Sequence, residues 1–315
     1  MVIKEILEIY NLIDRPKIDK DLLSDLFKKY GVDLEWNFVS EKKLSKPPIG
    51  GGDTYFLKII ISGRKRKFNK GKQPTLGIIG QLGGVGARPN QLGFVSDGDG
   101  ALAVLATALK LSKMRYYGDT LEGDVIVTTH LSPNSTIAPH EPVPFMGSPV
   151  SIETMNKYNV DKRMDAILVV DTTRGNRIIK NNYFAITPTV KEGWILKTPE
   201  YLLNLMEWVT HEDPSVVPIL MQDITPYGNG ISHINSIMQP ATATSVPVIG
   251  VAITSKKVVP GIASFVSNLT QLDMVCRFLI VVAEQFTKGK LKFYDESEFI
   301  RLKKIYGSMR HLLKK

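Results

Sequence analysis

With 315 residues, 43% of them hydrophobic, the chain can bury one large core or two modest ones, and its composition excludes a disordered protein. Its lone Cys276 excludes a disulfide framework and a thiolate metal cage, and no apolar run reaches the roughly 18 residues that a membrane span needs. The net charge of +9 gathers at the ends: residues 1–72 carry 16 basic and 10 acidic side chains, residues 288–315 carry 9 and 3, and the body between carries 15 and 18. Runs such as Arg64-Lys65-Arg66-Lys67 and the tail from Lys288 can meet phosphates. Without interleaved aromatics or a nucleic-acid motif they read first as solvated faces, so a nucleic-acid role ranks last.

Two amphipathic helical patterns open the chain, about Ile3 to Leu12 and Lys20 to Tyr30, parted by a break that holds Pro16. The charged start shows no leader pattern, and the expected location is the cytoplasm. Lys46-Pro47-Pro48-Ile49-Gly50-Gly51-Gly52 is the strongest linker signal, so residues 1–48 read as an N-terminal helical extension with its linker, and 49–315 as the main domain. The β-rich run Tyr55 to Ile61 follows. Strand candidates then alternate with helices: Leu76 to Ile79, helix Ala101 to Met114, Val125 to Thr129, Ala166 to Val170, helix Tyr201 to Thr210, Val217 to Met221, Val246 to Ile253 and helix Gln271 to Phe286. A basic amphipathic helix, about Glu298 to Leu313, closes the chain. Such alternation predicts an α/β fold: three layers, α/β/α, around a mostly parallel mixed sheet, with chemistry sought beyond the carboxyl ends of the strands.

Four segments reach that edge. In the first, a Gly-rich stretch from Gly77 leads to Ser96-Asp97-Gly98-Asp99 and an alanine-rich helix. The aspartates either cap the helix or, fixed at its start, serve as metal ligands. A phosphate cradle fits less well, because the glycine spacing departs from G-x-G-x-x-G and two carboxylates stand where the phosphate belongs. In the second, a strand ends at His130 and a Pro-rich loop carries His140 and Glu141; His130 is either a ligand or general base, or a histidine bonded to backbone. In the third, Asp171 ends a hydrophobic strand, as a ligand or as the start of a turn, with Arg174 and Arg177 placed to pair with it or to bind an anionic substrate group. The fourth holds Asp223, the tight loop Tyr227-Gly228-Asn229-Gly230 and an expected helix carrying His233.

Taken in order from Gly77 to Phe286, these segments resemble the dinuclear zinc aminopeptidases. The resemblance implies their fold, oligomeric assembly, a bridging aspartate at Asp97 or Asp99, and a second aspartate ligand at Asp171. The first histidine of that pattern falls near Gln81, its Glu-Glu pair on Leu131-Ser132 and its final histidine near Val266-Ser267, so three of its parts are absent here. Through GARPNQLGFVSDGDGA, GDVIVTTHLSP, PHEPVPFMGSPV, TPTVKEGW and QDITPYGNG, the chain is also identified as a member of a prokaryotic family of about this length without an assigned function. Two functions follow as expectations. One is a divergent hydrolase of peptides, amides or related small molecules, with one divalent ion (zinc, manganese or magnesium) held by Asp97, Asp99, His130, His140 and Asp171, catalytic groups among His130, Glu141 and His233, and substrate contacts from Arg174, Asp223 and Asn229. The other is a non-catalytic small-molecule-binding protein or partner subunit on a degenerate aminopeptidase scaffold.

Overall fold

In the computed structural model the described residues are 1–44, 50–67, 71–81, 83–231, 233 and 236–313, without the side chains of Lys43 and Leu44. Helices α1 (Ile3–Ile13) and α2 (Lys20–Lys28) come first, the second capped by Asp19, which accepts from the Leu22 amide. Strands β1 (Leu34–Leu44) and β2 (Gly50–Ile61) pair antiparallel, and β3 (Leu76–Gly80) leads by way of a tight turn at Ser96–Gly98 into α3 (Asp99–Tyr116). There follow β4 (Val125–Leu131), the small ribbon of β5 (Ile137–Ala138) and β6 (Phe145–Met146), α4 (Ile152–Asn159) and β7 (Ala166–Thr172). The chain continues through β8 (Phe184–Ile186), β9 (Thr189–Lys191), β10 (Trp194–Leu196), α5 (Glu200–Thr210), β11 (Val248–Ile253), α6 (Leu269–Thr287) and α7 (Glu296–Tyr306).

One sheet, ordered β1-β2-β4-β3-β7-β11-β9-β10 with β8 also on β11, forms the middle layer. Its centre, β4-β3-β7-β11, is parallel, and antiparallel strands flank it on both sides. Those central strands are near-continuous Val/Ile runs because both of their faces are covered. Ile78, Val127, Leu168 and Val251 face α1, α3, α5 and α6, whereas their neighbours Ile79, Ile126, Val169 and Ala252 pack against Ile224, Ile237 and Met238 on the other side. α4 adds Met155 against Phe56 and Val150 on that second face. Helix α3 lies deepest: 13 of its 18 residues are buried, which is why it is alanine-rich rather than amphipathic. Among the described residues no helix is long and apolar enough to cross a membrane.

Several expectations from sequence need correction. Gly50–Gly52 are not linker but the start of β2, where a Cβ on Gly50 would stand 2.0 Å from the Ser148 carbonyl oxygen; Lys46 to Ile49 lie outside the described residues. The segment read as an extension places Ile6, Ile9 and Ile13 of α1 in the main core and contributes β1 to the sheet edge. Val217 to Met221 is no strand: a single bridge joins Val216 to Ile186 before a tight turn at Met221–Ile224. His233 sits in irregular backbone, not on a helix. The closing helix stops at Tyr306 because Gly307 takes a positive φ of 80°, and Arg310–Leu313 form a separate turn.

Candidate functional site

The carboxyl ends of β3 and β7 meet the Ser96–Gly98 turn. Two residues beyond the paired Ile79 and Val169, Gln81 and Asp171 continue the same sheet face, and the Gln81 amide donates to the Val170 carbonyl at 2.8 Å. The turn is fixed by its backbone. The Thr172 hydroxyl donates to the Ser96 carbonyl at 3.0 Å, while the amides of Ser96 and Asp97 donate to Ala263 and Gly261 at 2.9 and 3.0 Å. Asp97 and Asp171 are therefore held at one edge, 8% and 1% exposed.

Their bonding is incomplete. Asp171 Oδ2 accepts from the Ser236 hydroxyl at 3.1 Å, whereas Oδ1 is buried without a hydrogen-bond partner. Gln81 is fully buried, and neither the oxygen nor the nitrogen of its side chain is bonded. The Asp97 carboxyl receives no hydrogen bond from any described residue, and glycines border it: a Cβ on Gly261 or Gly84 would stand 3.1 or 3.3 Å from its oxygens. Burial pushes Asp97 well above the usual carboxylate range, and the charges of Asp171 and Asp99 push it further. Burial likewise raises Asp171 to about 7, against the opposing pull of Ser236 and the Thr172 amide. The Tyr227 phenol, raised by burial and by the Asp171 and Asp223 charges, bonds Ser236 and so joins the same chain of contacts.

The other expected site residues are engaged elsewhere. Asp99 is wholly buried and forms an ion pair with Arg174, accepts from the Ser267 hydroxyl at 2.5 Å, and is pushed up by burial against the pull of both. Arg174 also donates to Gln271 Oε1 at 2.5 Å, and Gln271 in turn bonds the Thr254 and Tyr183 carbonyls, so this network is satisfied within the protein. His130 is equally complete. Its Nε2 accepts from the Gly83 amide at 2.7 Å, which assigns the proton to Nδ1, 3.0 Å from the Thr54 hydroxyl; burial lowers the ring to about 3. His140 and Glu141 are exposed on the Pro-rich loop, the histidine edge-on to Phe145 at 4.9 Å. Asp223 is buried and accepts from the Leu220 amide at 2.8 Å at the start of its turn. Asn229 is exposed and accepts from the Ile231 amide at 2.9 Å. His233 donates from Nε2 to the Thr225 carbonyl at 3.0 Å, with its ring 4.3 Å from that of Tyr227 and its buried Nδ1 unpartnered.

The expected metal set is thus corrected: among the described residues no three His, Cys, Asp or Glu side chains gather to hold a metal ion. Asp99 is spent on Arg174, both nitrogens of His130 are spent on the protein, and His140 stands at the surface. A dinuclear zinc centre needs more nitrogen and carboxylate donors than the remaining Asp97, Asp171 and Gln81 supply, and it does not fit. In the sequence Gln81 stands only as the place of a missing histidine and Tyr227 only as the start of a tight loop, and Ser236 goes unmarked. The QDITPYGNG string was a signal for Tyr227; Ser236 carries none.

Among solved structures, the fold is similar to the "Bottromycin maturation enzyme BotP", with a TM-score of 0.53 and 13% identity over 90% of this chain and 70% of that one. Similarity extends to the LapA aminopeptidase of Legionella pneumophila, at a TM-score of 0.47 and 13% identity over 91% and 70% of the two chains. The cytosol aminopeptidase of Coxiella burnetii follows, at 0.49 and 14% over 90% and 68%. At 13% identity what is shared with the first of these is the fold alone. No curated protein matches the sequence. Residues 48–315 match the family described as "Protein of unknown function (DUF1177)", and the chain belongs to that family, as its motif strings imply.

Proposed function

We propose that this protein binds a small ligand bearing a primary amine next to a carbonyl, as an amino-acid amide or a peptide N-terminus does, and does so without hydrolysing it. The observation that carries the reading is the unfinished bonding of the edge: a buried Asp171 oxygen and both polar atoms of the Gln81 side chain have no partner, beside an Asp97 carboxyl that accepts nothing. Each buried polar group left unbonded costs about 1–3 kcal/mol, more when charged, and a ligand that completes the set recovers it. An ammonium has three donors and no acceptor, matching two carboxylates and the Gln81 oxygen, and the Gln81 nitrogen is left to donate to the ligand carbonyl. The same oxygens also suit a hard divalent ion, which is the observation that favours a metal-assisted hydrolase as the second reading.

Calorimetry with leucinamide and with N-acetyl-leucinamide tests the first reading. Expected is saturable binding of the amine, none of the acetylated probe, a loss of at least about tenfold in affinity in Asp171→Asn, and leucinamide recovered intact. Absence of saturable binding to the wild-type protein, or binding that Asp171→Asn leaves unchanged, overturns it. Stoichiometric manganese, magnesium or zinc retained through dialysis, with leucinamide cleavage that EDTA abolishes, decides for the second reading.

A further inference from the structure

The run Arg64-Lys65-Arg66-Lys67 is divided by the fold into two kinds of residue. Lys65 pairs with Glu122 at 3.0 Å and Lys67 with Asp165 at 2.6 Å, so both lysine charges are met within the protein. Arg64 and Arg66 instead line a cavity of about 530 Å³ together with Arg115, Tyr30 and Tyr116. It opens at the end of the molecule opposite Asp97 and Asp171: β2 finishes at Ile61 against Val125, and Leu76 pairs with the same Val125, so this is the amino end of the parallel strands. A volume of several hundred Å³ is that of a small-molecule site.

Neutral groups hold the guanidiniums of Arg64 and Arg115 in place, and Arg66 lies beside them. Arg64 donates to the Gly118 carbonyl at 3.0 Å, Arg66 to the Ser62 hydroxyl at 2.9 Å and Arg115 to the Gly31 carbonyl at 3.4 Å. Among the described residues neither Arg64 nor Arg115 has an acidic partner, since Glu122 is taken by Lys65 and Asp124 accepts from the Gly63 amide at 2.8 Å. Arginines aimed by neutral acceptors keep their charge and their remaining donors for an anion, and the planar fork matches phosphate oxygens two at a time. Arg115 stands in the last turn of α3, where its charge offsets the carbonyl end of the helix dipole. Beside the arginines, Tyr116 is 58% exposed and meets Tyr30 edge-on at 5.7 Å, leaving an aromatic surface for a planar ring.

From the two arginines and the tyrosine surface we infer that this cavity binds a phosphorylated ligand of mononucleotide size, its phosphates on Arg64 and Arg115 and its ring on Tyr116. Calorimetry on the 315-residue chain with ADP, pyrophosphate and adenosine at low and moderate salt tests it. ADP and pyrophosphate are expected to bind saturably, more weakly as salt rises, and adenosine not at all. Arg64→Gln and Arg115→Gln each weaken ADP by about tenfold or more, Arg115→Lys by less, and Lys65→Gln and Lys67→Gln by under about threefold. Tyr116→Ala weakens ADP but spares pyrophosphate. Unchanged circular dichroism and melting temperature show that the variants fold; should Arg115→Gln not fold, Arg64→Gln carries the test. The inference is overturned if neither ADP nor pyrophosphate binds at low salt, if Lys65→Gln is as damaging as the arginine variants, or if the surface binds a single-stranded oligonucleotide that ADP does not displace.

Discussion

Asp171 follows a run of wholly buried residues, Ala166 to Val170, and the strand delivers its carboxyl to a dry edge. Its folded pKa of about 7 stands above the 3.8 of an unperturbed aspartate, so the native state holds the proton more tightly than the unfolded chain. The associated stability is fully present below about pH 3.8 and is lost as pH rises through about 7. Asp171→Asn removes this dependence, and it also removes a charge that raises Asp97, which acts in the same direction. In denaturant titrations without ligand, the variant is expected to gain on the wild type between pH 4 and pH 8, by on the order of a few kcal/mol. Parallel profiles would refute the assignment. His130 works the other way, being lowered to about 3 and costing stability as pH falls from about 6.5, but it is common to both proteins and cancels. In sequence the two residues looked alike, each a polar group closing a hydrophobic strand. What separates them is the Gly83 amide and the Thr54 hydroxyl, which complete the histidine and come from segments 47 and 76 positions away.

Among the elements, the Asp99–Arg174 pair ties the start of α3 to the loop after β7, and Gln271 extends the tie to the first turn of α6. Breaking a buried pair strands the partner charge, so Arg174→Met should cost about 3–5 kcal/mol in urea unfolding, with Asp99→Asn added to it restoring part of the loss. Additive effects of the two substitutions would show that the pair does not act as a unit. The sequence put Arg174 near a carboxylate but offered Asp171, its close neighbour, rather than Asp99, which lies 75 positions away. Elements with a strong local signature were legible: α1, α2, α5 and α6 stand where their helical period puts them, and α3 and the four parallel strands where unbroken apolar runs do. β8, β9 and β10, at three residues each, are too short to show a period, and β1 carries charges along a sheet edge.

Over the whole molecule, the first helix is part of the core and not an appendage. Ile6, Ile9 and Ile13 are buried with α3 and α6, the Val2 amide bonds Asp273, and Lys113 of α3 reaches Glu5 and Glu8 at 3.2 and 2.8 Å. Ile9→Ala should therefore lower global stability by about 2–5 kcal/mol within one cooperative transition; an early, separate melting of the N-terminal segment would contradict this. The three-layer plan could be read from the sequence because burial on both faces of a parallel sheet writes itself as apolar runs. The carboxylate edge could be read only in part, because what makes it a site is missing hydrogen bonds, and those depend on the whole fold. One member belongs to both ends of the protein. Helix α3 begins at Asp99, next to the carboxylates, and carries Arg115 in its last turn; at 1.5 Å per residue its 18 residues make a strut of about 27 Å. Most of its length is sunk in a close-packed core. Ligands at the two proposed sites would lean on opposite ends of one strut, and whatever advantage the first gives the second, the second must return in equal measure.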